Sequence, residues 1–205
     1  MFSFKSFAIV SAIAFGAATT ALAAPMEGVN VLERCGCSSI ATILDDVSVA
    51  VSPIVQELHY ITADNCTVDA LTPIVSDVKN IISGAIVEVN ALVGQPAEII
   101  LATVDGTAQI TVAELAQLIG ALITLIFTAL GAVLNVAGGS VIGLVIPLLA
   151  TVGEVVGSLV IAILSIVGTL LGGLLAAIFA EIGSVVGIVT RLNITVFIHI
   201  FSISA

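Results

Sequence analysis

The fold is decided by residues 115–190, an apolar stretch that includes LAQLIGALITLIFTALGAVLNVA at 115–137 and VVGSLVIAILSIVGTLLGGLLAAIFA at 155–180. Glu154 and Glu181 are the only charged side chains within it. A helix that is apolar on every face is stable in water only if something covers it. The cover can be lipid, other copies of the chain, an external apolar surface, or the rest of the molecule.

Local signals set the start and the end of the first apolar helix. Thr111-Val112-Ala113-Glu114 matches a capping box, so a long helix is predicted to begin there. It is predicted to run to about Ala137, where Gly138-Gly139 ends it. The uncharged runs at 115–137 and 155–180 are each long enough to cross about 30 Å of hydrocarbon. The sequence predicts no definite structure for residues 140–152, which contain Pro147.

Glycine recurs regularly in this second half of the chain. A pair of small residues spaced four apart flattens one face of a helix, so that another backbone can approach closely. This spacing predicts helix-packing roles, although glycine is also simply frequent in apolar sequence of low complexity. The four pairs are Gly139/Gly143, Gly153/Gly157, Gly168/Gly172 and Gly183/Gly187.

The first half of the chain has the pattern of ordinary amphipathic helices, which predicts an all-α protein throughout. Two apolar seams with alternating spacings of four and three residues each indicate a helix that packs on a neighbour. Residues 51–58 and 71–78 also resemble each other, and Pro53 and Pro73 in this repeat predict a restart or a kink. A recognition motif present twice is the alternative interpretation. The seams are Ile40, Leu44, Val47, Val51, Ile54, Leu58, Ile61 and Leu71, Val75, Val78, Ile82, Ala85, Val89, Leu92.

Composition divides the chain into four regions. Residues 1–23 have the charge, the short apolar run and the small-residue end of a secretory signal peptide, with cleavage expected before Ala24. Residues 24–106 form the acidic amphipathic region, and residues 107–190 form the hydrophobic, glycine-rich helical hairpin or bundle. Residues 191–205 form an atypical tail that reads more like a strand. The tail is either a genuine divergent end or an error in the gene model.

Secretion gives the three cysteines, Cys35, Cys37 and Cys66, an oxidising environment. A bond between Cys35 and Cys37 is strained by their proximity, so Cys66 is predicted to pair with one of them, and the sequence leaves open which. A metal site is disfavoured because no histidine or fourth ligand accompanies Cys-Gly-Cys. Asn65 and Asn193 each begin a sequon for N-glycosylation.

The sequence contains no pattern for catalysis, for a cofactor or for a metal. His59 and His199 lie far apart, and no nucleophile elbow, phosphate-binding loop or dinucleotide fingerprint occurs. Glu154 and Glu181 are predicted to lie where the apolar wall meets water or a helix terminus; in a bilayer they would instead mark a polar path. The protein is therefore predicted not to be an enzyme.

Charge limits the possible partners. Four Lys and Arg stand against fourteen Asp and Glu, which gives a formal net charge of −10. This balance disfavours nucleic acid and anionic lipid surfaces as partners. The remaining partners are other copies of the chain, apolar surfaces, the cell wall or a lipid bilayer.

The sequence resembles a group of secreted hydrophobic proteins of mushroom-forming fungi, found in cell wall and extracellular matrix. The resemblance covers residues 1–190 and rests on four features: the signal ending in Ala-Leu-Ala-Ala-Pro, Arg34-Cys35-Gly36-Cys37, residues 61–69, and the glycine-rich apolar half. It implies a structural role in coating hyphae, aiding aerial growth or attaching to hydrophobic surfaces. The chain lacks the eight-cysteine framework of true hydrophobins, and the resemblance supplies no catalytic residues.

Three functions remain open. The first is a secreted structural amphiphile that self-associates and coats hydrophobic surfaces or the cell wall. The second is an integral membrane protein with two or three transmembrane helices and a small extracellular N-terminal region. The absence of Lys and Arg between Asn80 and Thr190 counts against the second, because such residues normally set the orientation of membrane spans. The third is a carrier of lipid or of a small apolar ligand.

Overall fold

The structure of the protein is a computed structural model that describes residues 38–139 and 141–203. Within these ranges the chain forms helices joined by turns, with no strand and one isolated bridge between Ala102 and Gln109. The all-α prediction is therefore confirmed. The helices are α1 (Ile40–Leu58), α2 (Val68–Ala91), α3 (Ala97–Ile100), α4 (Val112–Val136), α5 (Ile142–Val167), α6 (Leu174–Glu181), α7 (Val186–Leu192) and α8 (Thr195–Phe201), with a 3-10 turn at Gly183–Val185.

These helices pack in three layers. The first layer, called the acidic layer below, is the hairpin of α1 and α2. The central layer is α4 with α5, because α1 packs along α4 and α2 packs along α5. The third layer, α6 to α8, also packs on α4 and α5 but has no extensive contact with α1 or α2. The central layer is therefore covered from two sides by the rest of the molecule.

The apolar seams predicted for the acidic layer form its contact with the core. All seven residues of the second seam are buried, and so are those of the first seam except Ile54 and Ile61, which are half-buried. Both helices run through their prolines, Pro53 and Pro73, without a restart. A proline removes one backbone hydrogen bond but leaves the buried seam on either side intact. The seam was predicted correctly. Of the restart or kink predicted at each proline, the restart does not occur.

The apolar run at 155–180 is long enough for a single helix, but it does not form one. The α5 helix begins earlier, at Ile142, contains Pro147, and ends at Val167. Residues 168–173 turn the chain, and α6 starts after Gly173, which has a φ of +84°. Residues that carry a side chain rarely adopt this left-handed backbone conformation, so glycine at this position permits the chain to reverse. A run of apolar residues thus becomes two helices in different layers.

The described part of the tail is helical, so the strand predicted for it is wrong. Residues Thr195–Phe201 form α8, and Ile194 and Phe197 are completely buried. Phe197 meets Phe127 of α4 edge-on, with 5.3 Å between the ring centroids. Isoleucine and phenylalanine favour strands only weakly and through packing, so a helical site on α5 outweighs that preference. The described part of the tail belongs to the hydrophobic core.

The predicted capping box at the start of α4 is present. The Thr111 hydroxyl accepts a hydrogen bond from the Glu114 backbone N–H at 3.3 Å, and the Glu114 carboxylate accepts one from the Thr111 backbone N–H at 2.8 Å. These bonds satisfy two N–H groups that a helix terminus leaves unpaired. They fix the point at which the acidic first half gives way to the central layer.

We expect Thr111→Ala to lower the free energy of unfolding by about 1 kcal/mol, because it removes the side-chain acceptor at the N-cap. The backbone N–H and the hydroxyl of Thr111 lower the pKa of the Glu114 carboxyl from its ordinary value of 4.5. A lowered folded-state pKa stabilises the fold above the unfolded-state pKa, and this contribution is lost as the pH falls through the folded-state value. The stability advantage of the wild type over Glu114→Gln should therefore vanish on acidification below pH 4.5.

Urea denaturation across this pH range measures both effects. A wild-type advantage over Glu114→Gln that stays constant into strong acid would contradict the assignment of the capping carboxylate.

Candidate functional site

The candidate functional site consists of two outer surfaces of the bundle that differ in polarity. The first of these surfaces is acidic. Carboxylates on α1 and α2 lie off the buried seams and are exposed to solvent. Lys79 is the only Lys or Arg on these two helices. Like charges spaced along one layer favour contact with water over contact with an apolar surface. The exposed carboxylates are Asp45, Asp46 and Glu57 on α1, and Asp69, Asp77 and Glu88 on α2.

The central helix α4 meets water only along a narrow stripe. Its large apolar residues are buried or half-buried, and every exposed position carries a small or polar side chain. The expectation that α4 is apolar on every face is therefore corrected. Its outward-facing residues form one stripe along the helix, separated by three, four or seven positions in the sequence. The seven-residue interval from Ala121 to Thr128 to Asn135 is the sequence signal that could have revealed it. The exposed residues are Ala113, Glu114, Gln117, Ala121, Thr128 and Asn135.

A similar stripe runs along α5 and collects its polar residues. Thr151, Ser158 and Ser165 recur at seven-residue intervals. Their hydroxyls donate to carbonyls one turn earlier in the same helix, at 2.7–2.8 Å. These groups are thus satisfied without help from water or from a partner. Unlike α4, this stripe also exposes large apolar residues, Leu144 and Ile161.

The second outer surface follows residues 168–173 and the outer side of α6. Leu170, Leu175 and Phe179 are 45%, 40% and 43% exposed, and no charged residue occurs between Val155 and Ala180. Ala176 and Ala180 complete this surface, called the apolar face below. Because α6 packs on α4 without extensive contact to α1 or α2, the apolar face and the exposed carboxylates belong to different layers.

The two isolated glutamates of the apolar half have ordinary structural environments. Thr195 is the first residue of α8. Its backbone N–H donates a hydrogen bond to the carboxylate of Glu154 at 2.8 Å. A carboxylate at that position complements the positive end of the helix. Glu181 ends α6 and is exposed, with its side chain directly above Gly120 of α4. Both positions agree with the interpretation of helix termini or water contact.

Glycines do permit close helix contacts, at one of the four predicted pairs and at two further positions. A methyl group at Gly153 would overlap Ile194, and one at Gly157 would overlap Val196, so this pair forms the floor on which α8 lies. Gly120 and Gly131 of α4 play the same part beneath Glu181 and Ile188, and the sequence reading missed both.

The other three predicted pairs have a different setting. Gly139 lies in the turn after α4 with a φ of +56°, and Gly168 ends α5. A methyl group at Gly143, Gly172, Gly183 or Gly187 would meet nothing within 4 Å. These four glycines are exposed. The packing role predicted for them therefore has no partner helix among the described residues.

The predicted modification residues lie in or beside turns. Cys66 is buried just before α2, and burial raises the pKa of its thiol. Cys35 and Cys37 lie outside the described residues, as does the segment predicted to be a signal peptide, residues 1–23. Asn65 and Asn193 are exposed, and the Asn65 side chain already binds Thr62 and Tyr60 across its turn.

No protein-family model, curated protein or solved structure matches this chain. By length and composition, three of the described helices are apolar enough to cross a membrane: α2, α4 and α5. The bent pair formed by α6 and residues 183–192 adds a fourth if it is counted as one span.

The glycine contacts give a prediction with an internal control. Gly157→Leu should destabilise the protein by about 1–3 kcal/mol, because the added side chain must displace α8. Gly84→Ala, in the middle of α2 with open space around it, should instead stabilise the protein by about 0.5–1 kcal/mol. Thermal and urea unfolding of both variants test the pair. If Gly157→Leu matched the wild type, the placement of α8 against α5 would be refuted.

Proposed function

We propose that the protein is a secreted structural amphiphile that adsorbs to apolar surfaces and associates with further copies through its apolar face. One observation carries the proposal: the exposed carboxylates of α1 and α2 and the exposed apolar residues of α6 lie on different sides of the central layer. A molecule of this kind lowers the free energy of a boundary between water and an apolar phase. Its acidic layer stays in water while the apolar face leaves it.

The size of the effect favours adsorption over tight soluble oligomers. Buried apolar area contributes about 25 cal/mol per Å², so a contact of roughly 400 Å² contributes about 10 kcal/mol before costs. The loss of translational and rotational freedom on association costs about 4–15 kcal/mol. Contact between two copies is therefore weak and reversible in dilute solution. Adsorption is favoured because an extended surface can engage the whole face of every molecule and bring copies together.

The packing of the acidic layer supports a position at a surface rather than across a bilayer. Because α2 lies along α5, a bilayer crossed by α5 in this arrangement would also contain α2. Asp77 and Lys79, at the middle of α2, would then lie near the hydrocarbon centre. Each charge at that depth costs about 2.5–3.5 kcal/mol even by insertion-based scales. On α1, Asp45 and Asp46 would add to this cost.

The alternative is an integral membrane protein, and the hydropathy of the central layer favours it. Windows of α4 and α5 have a mean hydropathy of 2.2, against 1.3 for α2. In this alternative α4 and α5 span the bilayer while α1 and α2 detach and remain outside. The proposed location is the cell wall or extracellular matrix, supported by the signal-like residues 1–23 and by the resemblance to secreted hydrophobic fungal proteins.

Fractionation of cells that produce the protein separates the two functions. An adsorbed protein should leave the membrane and wall pellet in alkaline carbonate, and part of it should be present in the culture fluid. Recovery only after a bilayer-dissolving detergent would favour the membrane alternative over our proposal.

Substitution of the apolar face tests the proposal at the level of residues. The double variant Leu170→Glu, Leu175→Glu should bind a hydrophobic sensor surface on the order of tenfold less tightly, because it places charge where apolar area must be buried. The matched control is Val49→Glu, Val87→Glu, which adds the same charge at positions 68% and 69% exposed on the acidic layer. Adsorption that falls equally in both variants would assign the effect to net charge and reject the apolar face.

A further inference from the structure

A cavity of about 300 Å³ opens on the bundle where three distant parts of the chain meet. The C-terminal end of α1, the last two turns of α4 and the end of α7 form its walls. It shares no lining residue with the apolar face, and its lining contains both polar and apolar residues. The lining residues are His59, Thr128, Gly131, Ala132, Asn135, Ile188 and Arg191.

The polar groups of this cavity are mainly hydrogen-bond donors. The Nη1 atom of Arg191 donates to the Oδ1 atom of Asn135 at 3.3 Å, and this is its one hydrogen bond within residues 38–139 and 141–203. A guanidinium group carries five N–H donors, so four remain. The amide of Asn135 has two further N–H donors, and the hydroxyl of Thr128 and the imidazole of His59 supply more.

The charge of the cavity is opposite to that of the rest of the protein. The chain has fourteen Asp and Glu, yet none of them lines this cavity. Arg191 is one of two Lys or Arg in the described part of the chain, the other being Lys79 on α2. A guanidinium fork beside amide and imidazole donors, with no carboxylate among them, has the composition of an anion site.

Arg191 also has a simpler role, which does not account for the whole arrangement. It lies in the last turn of α7, where a positive charge complements the carbonyl end of the helix. That role requires a charge near the helix axis. It does not require Asn135 from α4 or His59 from α1 at the same cavity.

We propose that this cavity binds a monocarboxylate. The carboxylate bridges Arg191 and the amide of Asn135, and His59 adds a donor from the opposite wall. Its apolar part lies on Gly131, Ala132 and Ile188. A volume of about 300 Å³ is at the lower end for ligand sites, which restricts the ligand to a short aliphatic or aromatic acid. The same carboxylate chemistry can come from a free acid or from an Asp or Glu side chain of a second copy.

Octanoate is the probe, with octanol as its uncharged counterpart. Titration of the purified protein, followed by the NMR signals of the Arg191 guanidinium and the Asn135 amide, should show saturable binding of octanoate and none of octanol at these groups. Arg191→Gln should weaken octanoate binding by about tenfold or more, because it removes a hydrogen bond to a charged group. Lys79→Gln, which removes the other described cation, should bind as the wild type does.

Asn135→Asp provides a second variant that keeps the side-chain size. It places a carboxylate within reach of Arg191 and should exclude octanoate while leaving the thermal unfolding temperature equal or higher. If octanoate binds to neither the wild type nor the variants, but Arg191→Gln weakens self-association in sedimentation experiments, the carboxylate comes from a second copy. Octanoate binding that is unchanged in Arg191→Gln and Asn135→Asp overturns the proposal, and so does the absence of any effect on both binding and association.

The octanoate experiment can fail or succeed independently of the adsorption experiment. The variant Leu170→Glu, Leu175→Glu should keep full octanoate binding, because its substitutions lie outside the cavity lining. Loss of adsorption without loss of octanoate binding thus concerns the apolar face alone.

Discussion

The structure depends on the burial of α4. This helix has few polar side chains, and water contact along most of its surface would cost more free energy than the small net stability of a domain. Helices from both outer layers cover it, together with α5, and leave only a stripe of small and polar residues exposed. The other helices are arranged around this requirement. The acidic layer supplies one apolar seam, and the short helices α6 to α8 supply the other cover.

Much of this arrangement was accessible from the sequence because the signals are local. The seam of α2 follows from spacing alone, and the start of α4 follows from Thr111 and Glu114. The break after Val167 was not accessible, because the glycines at 168, 172 and 173 fit a helix interface as well as a turn. The tail shows the same limit. Its isoleucines and phenylalanines favour a strand until a flat, glycine-lined surface on α5 is available to receive a helix.

The candidate surfaces depend still more on distant contacts. The apolar face is continuous in sequence, so its lack of charge is visible at residues 155–180, yet its exposure results from the way α6 packs on α4. No sequence pattern predicts the cavity lined by Arg191. His59, Asn135 and Arg191 belong to helices in three different layers, and only the packing of α1 and α7 against α4 brings them together.

Burial in the core and the proposed adsorption compete for the same apolar residues, and the layers divide these residues between the two. Residues in the core of α4 cannot also contact an external surface unless the bundle opens, which would expose the seams of α1 and α2 at the same time. The proposed adsorption of the folded protein would therefore use the exposed fraction of α6 and the preceding turn, a small part of the hydrophobic half. Most of the hydrophobicity of the sequence serves the core. High hydropathy alone thus overstates how strongly the folded molecule is driven toward lipid or toward other copies, and the geometry of the third layer determines the affinity that remains.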